Sequence, residues 1–312
     1  MNYVIRHWTF DPMLVIVVIT VVAHEMGLRR LATHSRASRT AFRRRRSIVF
    51  YAALALLVLT IDSPIDYWSS SYFAVHMLEH ILLSLAVPIL LVVGAPWLPL
   101  LFALPVGVRR RVGRFFYLSS TARPLRGLGR LVRNPWVGVL SFNAAMLAWH
   151  IPSWFNLAED NGFVHVWLMH GSFIVTGVLF WLQIFRSSPM KPVKGPLWQA
   201  GAILFTNVTM TILAMSMSIM TKVSWYSTYA HVPGVTLSPF VDQQIGAALL
   251  WVCGDFWALP TLIIVIRRSI DQQGSLSSVI DRIIGRAPSM TPEQFRRTAI
   301  EAPASVEGGS LS

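Results

Sequence analysis

Two histidines and a glutamate lie within one of the most apolar stretches of the sequence. His76, Glu79 and His80 fall in "VHMLEHILLSLAVPILLVVGAP". Residues three and four apart share one face of an α-helix, so His76 and His80 would stack with Glu79 beside them. Such a pair can offer two nitrogens to one metal ion, with the carboxylate as a third ligand or as the acceptor that orients an imidazole. Ionisable groups are costly in a membrane segment, which makes them candidates for function.

Further histidines are expected at the same level. His150 ends one apolar stretch, and His165 and His170 lie near the start of the next. In an α-helix the five-residue step from His165 to His170 turns through about 140° net, so the two would not share a face. We therefore expect at most one of them to join His76 and His80, and we favour the deeper His170.

A methionine group and an acidic residue complete the candidates. Met215, Met217 and Met220 end another apolar stretch, and a set of thioethers and imidazoles favours Cu(I) among the common metals. Such methionines more often fill a core, and a lone membrane histidine more often bonds a neighbouring helix. Asp242 begins the last apolar stretch, where it would either join the site or cap its own helix. The glutamines at 243 and 244 are candidates to bond the imidazoles.

The composition predicts the setting for these residues. With 54% hydrophobic and 13% charged residues in 312, the chain is too apolar for an ordinary soluble domain. We predict an all-α integral membrane protein, with a seven-helix domain over residues 1–268 and a cytoplasmic tail over 269–312. The tail is expected to form an amphipathic helix at 275–286 and then to be disordered. A spanning helix needs roughly 20 apolar residues, and seven segments qualify: 12–28, 47–63, 72–93, 135–151, 163–185, 197–220 and 241–266.

The charge pattern predicts the orientation. Basic residues cluster in four places: eight arginines lie between the first two spans, eight more between residues 109 and 133, and smaller groups follow the fifth and seventh spans. All four lie on the cytoplasmic side if seven helices begin with the N-terminus outside. "WLPLLFALP", residues 97–105, is then an interfacial piece. The net charge of +13 is assigned to topology and to contact with anionic lipids, and nucleic acid is excluded as a partner. The single Cys253 excludes a disulfide within the chain.

Four stretches, in order, resemble the CtaG-like cytochrome c oxidase assembly proteins, the membrane group associated with caa-type oxidases. The first contains a His-Met-x-x-His run, and "LAWHIPSWF" is similar to the Trp-His-x-Pro signature of that family. "HGSFIVTGVLFW" resembles its span with a histidine and Gly-x-x-x-Trp, and "DQQIGAALLW" its Asp-Gln-Gln element, which "WYSTY" precedes. The resemblance covers residues 47 to about 266 in a seven-span architecture.

The resemblance implies that the chain helps copper reach the subunits of a haem-copper oxidase in the bacterial cell membrane. The implied partners are oxidase subunits and a copper donor protein, and a homodimer stays open. No turnover is implied, so no enzyme is expected. Relatives often carry a glutamate where this chain has Met169. The candidate ligands for Cu(I) are His76, His80, His150 and His170; secondary candidates are Glu79, Asp242, His165, Met169, Met215, Met217 and Met220.

Two other classes of protein remain open. Imidazoles from facing helices can ligate haem iron, which would make the chain a membrane electron carrier with a visible Soret band. Alternatively, Glu79 and the histidines would line the path of a proton or metal transporter. That path needs ionisable groups toward the cytoplasmic half, and the third span offers none after His80. Copper-linked assembly therefore ranks first.

Overall fold

Helices make up almost all of the regular structure. The structure is a computed structural model that describes residues 7–8, 11–33 and 36–273, with side chains up to residue 271. Within these ranges there is no strand, only an isolated bridge between Ser187 and Met190. The chain divides into two compact units, Met1–Leu262 and Ile263–Ser312. The predicted amphipathic segment at 275–286 and the disordered tail after it lie outside the described residues.

Thirteen α-helices follow one another along the described chain. They are α1 Met13–Ala32, α2 Ala37–Ile61, α3 Pro64–Ser69, α4 Phe73–Ile81, α5 Val87–Gly94, α6 Trp97–Ala103, α7 Val106–Leu118, α8 Arg123–Val132, α9 Pro135–Trp149, α10 Pro152–Glu159, α11 Gly171–Ile184, α12 Pro196–Ser218 and α13 Pro239–Gln273. Two π-helical segments join them where the predicted third and fifth spans run, Leu82–Ala86 and Val164–His170. Short 3₁₀ turns occupy Ser120–Ala122 and Ser227–Tyr229.

Five helices in the described residues are long and apolar enough to cross a membrane: Ala37–Ser69, Phe73–Gly94, Val164–Ile184, Pro196–Ser218 and Pro239–Asp271. Pro135–Trp149 is apolar but shorter. The helix α1 is not among the five, because Glu25, Arg29 and Arg30 lie in its second half. The prediction of an all-α membrane protein is confirmed. The count of seven spans and the orientation of the termini stay predictions.

Small residues bring the helices of the first unit into close contact. A Cβ at Gly138 in α9 would lie 2.7 Å from the Leu179 carbonyl oxygen of α11. A Cβ at Gly177 in α11 would collide with the Ser84 carbonyl of the first π-helical segment and lie 2.7 Å from Pro88 Cγ. Only glycine leaves room for backbones at this separation. The fifth predicted span is thereby held between the fourth and the third.

The segment predicted as an interfacial piece is the helix α6. It packs against α1, and Arg30 Nη1 of α1 donates hydrogen bonds to the Phe102 and Ala103 carbonyls, at 3.3 and 2.5 Å. These are carbonyls at the end of α6, which have no partner within their own helix. Before it, Ala95 has a left-handed backbone with φ 50°, and this conformation ends α5.

Proline chemistry places His150 at the end of α9. Residue 152 is a proline, so Ile151 before it is pushed out of the helical region. Its backbone has φ −67° and ψ 124°. The α9 helix therefore ends at Trp149 with His150 as its C-cap. Pro152 starts α10 in the first-turn position that tolerates proline.

Candidate metal centre

Four histidines from two membrane helices meet in one buried cluster. His76 and His80 come from α4, and His165 and His170 from the second π-helical segment. One ligand nitrogen from each of the four lies within 4.8 Å of every other. His76, His80 and His170 are at most 2% exposed. We call these four residues the His cluster.

The members of the His cluster are hydrogen-bonded in pairs. His76 Nε2 is 2.6 Å from His80 Nε2, and His165 Nε2 is 2.9 Å from His170 Nε2. The two pairs also lie face to face, since the rings of His76 and His165 stack with their centroids 5.1 Å apart. A neutral imidazole carries one proton, so each pair shares one proton between its two Nε2 atoms.

The expectation that only one of His165 and His170 would join the cluster is wrong. It assumed an α-helix, in which a five-residue step moves to another face. Residues Val164–His170 instead form a π-helix, whose i to i+5 hydrogen bonds bring residues five apart onto one face. The step of four between His76 and His80 does lie in an α-helix, and the two residues share one face as predicted, with their rings edge-on to each other.

Two buried carboxyl groups flank the His cluster. Glu79 Oε1 is 3.7 Å from His170 Nε2, and no described residue donates a hydrogen bond of standard geometry to either Glu79 oxygen. Glu159, at the end of α10, lies close to two other members of the cluster. Its Oε1 is 3.4 Å from His76 Nδ1 and 3.3 Å from His165 Nδ1. Burial, with the nearby charges of Asp160 and Asp66, raises the pKa of Glu159 to about 8. The neutral form of Glu159 therefore predominates at pH 7.

A tyrosine fixes the proton arrangement of the first pair. The Tyr229 hydroxyl donates to the Ser69 carbonyl at 2.9 Å, and its oxygen is 3.0 Å from His76 Nδ1. The hydroxyl has one hydrogen, so all partners are satisfied when His76 Nδ1–H donates to the Tyr229 oxygen. His76 Nε2 then carries a lone pair and accepts from His80 Nε2–H. His80 Nδ1 is left with a lone pair, and it has no hydrogen-bond partner among the described residues.

His150 lies beside the cluster but faces a different partner. Its ring centroid is 6.1 Å from that of His80, its Nδ1 is 2.6 Å from the Met146 carbonyl, and its Nε2 is 3.3 Å from Met77 Sδ. Both His150 and Met77 are buried. The imidazole rings of the third, fourth and fifth spans thus lie close together, as predicted. The nitrogens of His150, in contrast, face the Met146 carbonyl and Met77 Sδ and do not face the His cluster.

Asp242 does cap a helix, but the helix is not its own. Its carboxylate accepts from the backbone N–H groups of Phe73 at 2.6 Å and Ala74 at 3.0 Å, the first residues of α4. The start of α13 is capped instead by Ser238, whose hydroxyl accepts from Val241 N–H. Asp242 therefore anchors the helix that carries His76 and His80. Because both of its carboxylate oxygens accept these bonds, Asp242 supports the site indirectly, by fixing the start of α4.

The two glutamines after Asp242 contact backbone groups and no imidazole. The side chain of Gln243 accepts from Trp225 N–H at 2.6 Å and donates to the Met217 carbonyl at 2.8 Å. Gln244 donates to the Ser218 carbonyl at 3.1 Å. The interpretation that they bond the histidines is wrong, because they tie the start of α13 to the end of α12.

The candidate methionines are spread over several environments. Met169 is fully buried next to His170 in the chain. Met217 Sδ is 3.6 Å from the Tyr226 hydroxyl, Met215 is half-buried, and Met220 is 73% exposed. Of the remaining histidines, His231 is exposed, His24 Nδ1 is 3.1 Å from the Tyr51 hydroxyl, and His7 stacks on Tyr67.

Sequence reasoning missed three residues of this site. Glu159 was not singled out at all, and Tyr229 and Met77 were named only as parts of the WYSTY stretch and the His-Met-x-x-His run. The pairing of Tyr229 with Ser69 and His76 joins residues about 150 positions apart, so no local pattern indicates it. Met77 is one residue from His76, and its soft sulfur beside an imidazole was the one available signal.

The donor atoms of the His cluster fit a transition-metal ion. Imidazole nitrogens with free lone pairs are good ligands for copper and zinc, and buried lone pairs without donors are costly. His80 Nδ1 is such an atom within the described residues, on the side of the ring that faces away from His76. Glu159 lies 3.3 Å from His165 Nδ1, the ring nitrogen opposite its Nε2 contact, which is the place of the acceptors that orient imidazole ligands.

Taken together, these features define a helical membrane protein with a buried cluster of imidazoles. The family model of the cytochrome c oxidase caa3 assembly factor (Caa3_CtaG) matches residues 22–272. The chain belongs to this family, as its ordered motifs predicted.

Relatives are found among mycobacterial proteins. Uncharacterized proteins of Mycobacterium bovis and Mycobacterium tuberculosis are each 24% identical over 288 residues, which cover 89% of this chain and 42% of the relative. An uncharacterized protein of Mycobacterium leprae is 24% identical over 235 residues, 71% of this chain and 33% of the relative. The chain thus spans about two-fifths of the length of the first two. No solved structure matches it.

Proposed function

We propose that the chain holds Cu(I) in the His cluster and passes it to a subunit of a haem-copper oxidase during assembly. The observation that carries the proposal is the approach of four histidine ligand atoms to within 4.8 Å of one another in a buried site. Membership in an oxidase assembly family supports the choice of recipient. Copper is the cargo in this proposal, and the chain is a carrier with no catalytic turnover.

The chemistry of the cluster suits transfer. Neutral imidazoles suit copper and add no charge of their own, so the loaded site carries only the single positive charge of Cu(I). The burial of His76, His80 and His170 excludes water. A carrier must also release its cargo. Release by ligand exchange needs only that nitrogens of the recipient replace those of the cluster one at a time, with no change in the oxidation state of copper.

The place of transfer in the proposal is the non-cytoplasmic face of the bacterial plasma membrane. The four basic clusters of the sequence support a common cytoplasmic side under the positive-inside rule. His76 and His165 both lie near the starts of their helical segments, at the opposite ends from these clusters. The mycobacterial relatives support a bacterial membrane as the location.

The test measures the oxidase made in a bacterium whose own copy of this chain is replaced by variants. We expect His76→Ala combined with His80→Ala to yield a haem-copper oxidase that is depleted in copper but retains its haem. The control is His231→Ala, since His231 is exposed and outside the cluster. The readout is the copper-to-haem ratio of the purified oxidase. An unchanged ratio in the double variant, with the variant chain present in the membrane, contradicts the proposal.

A further inference from the structure

A second pair of metal-type donor atoms lies next to the His cluster. His150 Nε2 and Met77 Sδ are 3.3 Å apart, and the two residues are 2% and 0% exposed. They come from different elements, since Met77 lies in α4 and His150 caps the end of α9. The ligand groups of the His cluster do not include either residue.

This contact cannot be an ordinary hydrogen bond. His150 Nδ1 is 2.6 Å from the Met146 carbonyl oxygen. That oxygen can only accept, so the single proton of the neutral ring is on Nδ1. The Nε2 atom therefore presents a lone pair, and the thioether sulfur has no hydrogen to donate. Two electron-pair donors face each other in a buried place, where an unpaired polar atom carries a desolvation cost.

A soft metal ion between them would use both lone pairs. With the bond lengths of zinc sites, about 2.0 Å to histidine nitrogen and about 2.3 Å to thiolate sulfur, an ion with a near-tetrahedral angle holds its two donor atoms about 3.5 Å apart. The observed separation of 3.3 Å is close to this value. Imidazole with thioether is a set that selects Cu(I) among the common metals.

The surroundings hold His150 in this orientation. The Met146 carbonyl fixes the ring through Nδ1, and the Tyr226 hydroxyl donates to the His150 carbonyl at 3.1 Å. Such outer contacts are typical of metal-ligating histidines. The lone pair of Nε2 is thus aimed before any ion arrives.

The ring of His80, a member of the His cluster, lies close to the ring of His150. Its Nε2 bonds His76 at 2.6 Å, whereas its Nδ1 has no partner among the described residues. The two nitrogens of one imidazole point away from each other, so Nδ1 faces away from His76. The ring of His150 is a near neighbour, with the centroids 6.1 Å apart.

We propose that Met77 and His150 form a second Cu(I) position, separate from the His cluster and adjacent to it. This inference rests on the proposed function, because it assigns the pair to the same cargo. An ion moves between the two positions by ligand exchange: bonds to cluster nitrogens break as bonds to Met77 Sδ and His150 Nε2 form. Copper stays Cu(I) throughout, so the step needs no oxidant or reductant.

The test loads the detergent-purified full chain with Cu(I) under reducing conditions and compares it with Met77→Leu. Leucine keeps the volume of methionine and removes the sulfur. The matched control is Met210→Leu, because Met210 is equally buried but lies in α12. Copper per chain is measured by metal analysis, and the ligands by X-ray absorption at the copper edge.

We expect Met77→Leu to lose one bound copper ion per chain together with the sulfur neighbour of copper, while Met210→Leu matches the wild type. A Met77→Leu chain with wild-type stoichiometry, or with its copper–sulfur signal intact, overturns the second position. The combination of His76→Ala with His80→Ala separates the two proposals. Retention of one sulfur-bound ion in that variant supports the second position, whereas a wild-type chain that binds no copper overturns both.

Discussion

At the scale of single residues, the distribution of protons decides what the His cluster can bind. Ser69 and Tyr229 together place the proton of His76 on Nδ1, which leaves Nε2 with a lone pair. The Met146 carbonyl does the same for His150. In both rings a backbone carbonyl, which can only accept, determines the tautomer. The lone pairs available to a metal are therefore set by groups that never touch it.

Removal of the Tyr229 hydroxyl tests this tautomer argument. Tyr229→Phe leaves His76 Nδ1 and the Ser69 carbonyl without their common partner. Loss of such an orienting contact typically weakens metal binding about 10- to 100-fold, and we expect a loss of copper affinity in that range. Affinity is measured by competition with a Cu(I) chelator.

The control for this experiment is Tyr67→Phe, which removes a hydroxyl from a more exposed tyrosine outside the site. Its copper affinity should equal that of the wild type. If Tyr229→Phe binds copper as tightly as Tyr67→Phe, the hydroxyl has no part in setting the tautomer of His76.

At the scale of elements, the second π-helical segment, Val164–His170, has the largest effect on the composition of the His cluster. Its wider turn brings His165 and His170 onto one face, which an α-helix over the same residues would not do. The first π-helical segment, Leu82–Ala86, directly follows α4 and provides the Ser84 carbonyl that Gly177 approaches. The two irregular segments thus lie on the helices that carry the cluster.

The close approach at Gly177 predicts a sharp difference between two glycines of the same helix. A Cβ at Gly177 would collide with the Ser84 carbonyl, so Gly177→Ala should destabilise the chain by about 1–3 kcal/mol through overpacking. Gly171→Ala is the matched control, since a Cβ there meets nothing within 4 Å. Alanine also favours a helix over glycine, so Gly171→Ala should be neutral or slightly stabilising.

Thermal unfolding of both variants in detergent provides the measurement. Equal midpoints for Gly177→Ala and Gly171→Ala would mean that α11 does not approach the first π-helical segment as closely as described.

The elements also show why part of the site could not be predicted. The pairing of His76 with His80 follows from α-helical spacing alone. The inclusion of His165 depends on a π-helix, and no rule of residue spacing in the sequence indicates one there. The cap that Asp242 provides to α4 joins residues 169 positions apart, so it depends on how the helices pack. Local geometry was predictable, and long-range pairing was not.

At the scale of the whole molecule, composition and hydropathy were sufficient for the class of protein. The long apolar blocks predicted helices that cross a membrane, and five such helices are found in the described residues. The two remaining predicted spans coincide with α1, which carries three charged residues in its second half, and with α9, which is short. In α1 the charged residues lower the hydropathy of the helix but do not prevent it from forming. In α9 the proline after His150 shortens the helix but does not remove it.

The family motifs were predictable because each is short and contiguous. The family match over residues 22–272 confirms the set of motifs as a whole. The fold then shows what each motif does. The His-Met-x-x-His run supplies half of the His cluster and Met77. The Trp-His-x-Pro signature ends α9 at Trp149 with His150 as its C-cap, and the Asp-Gln-Gln element anchors α4 and α12. Each motif thus contributes residues either to the His cluster or to the helices that position it.

The most direct test of the central claim is the copper content of the detergent-purified chain under reducing conditions. We predict that the wild type binds Cu(I) and shows no Soret band, and that His76→Ala with His80→Ala loses the ion held by the His cluster. His231→Ala should match the wild type. Equal copper in the wild type and the double variant, or a wild type that binds haem and no copper, would contradict the account.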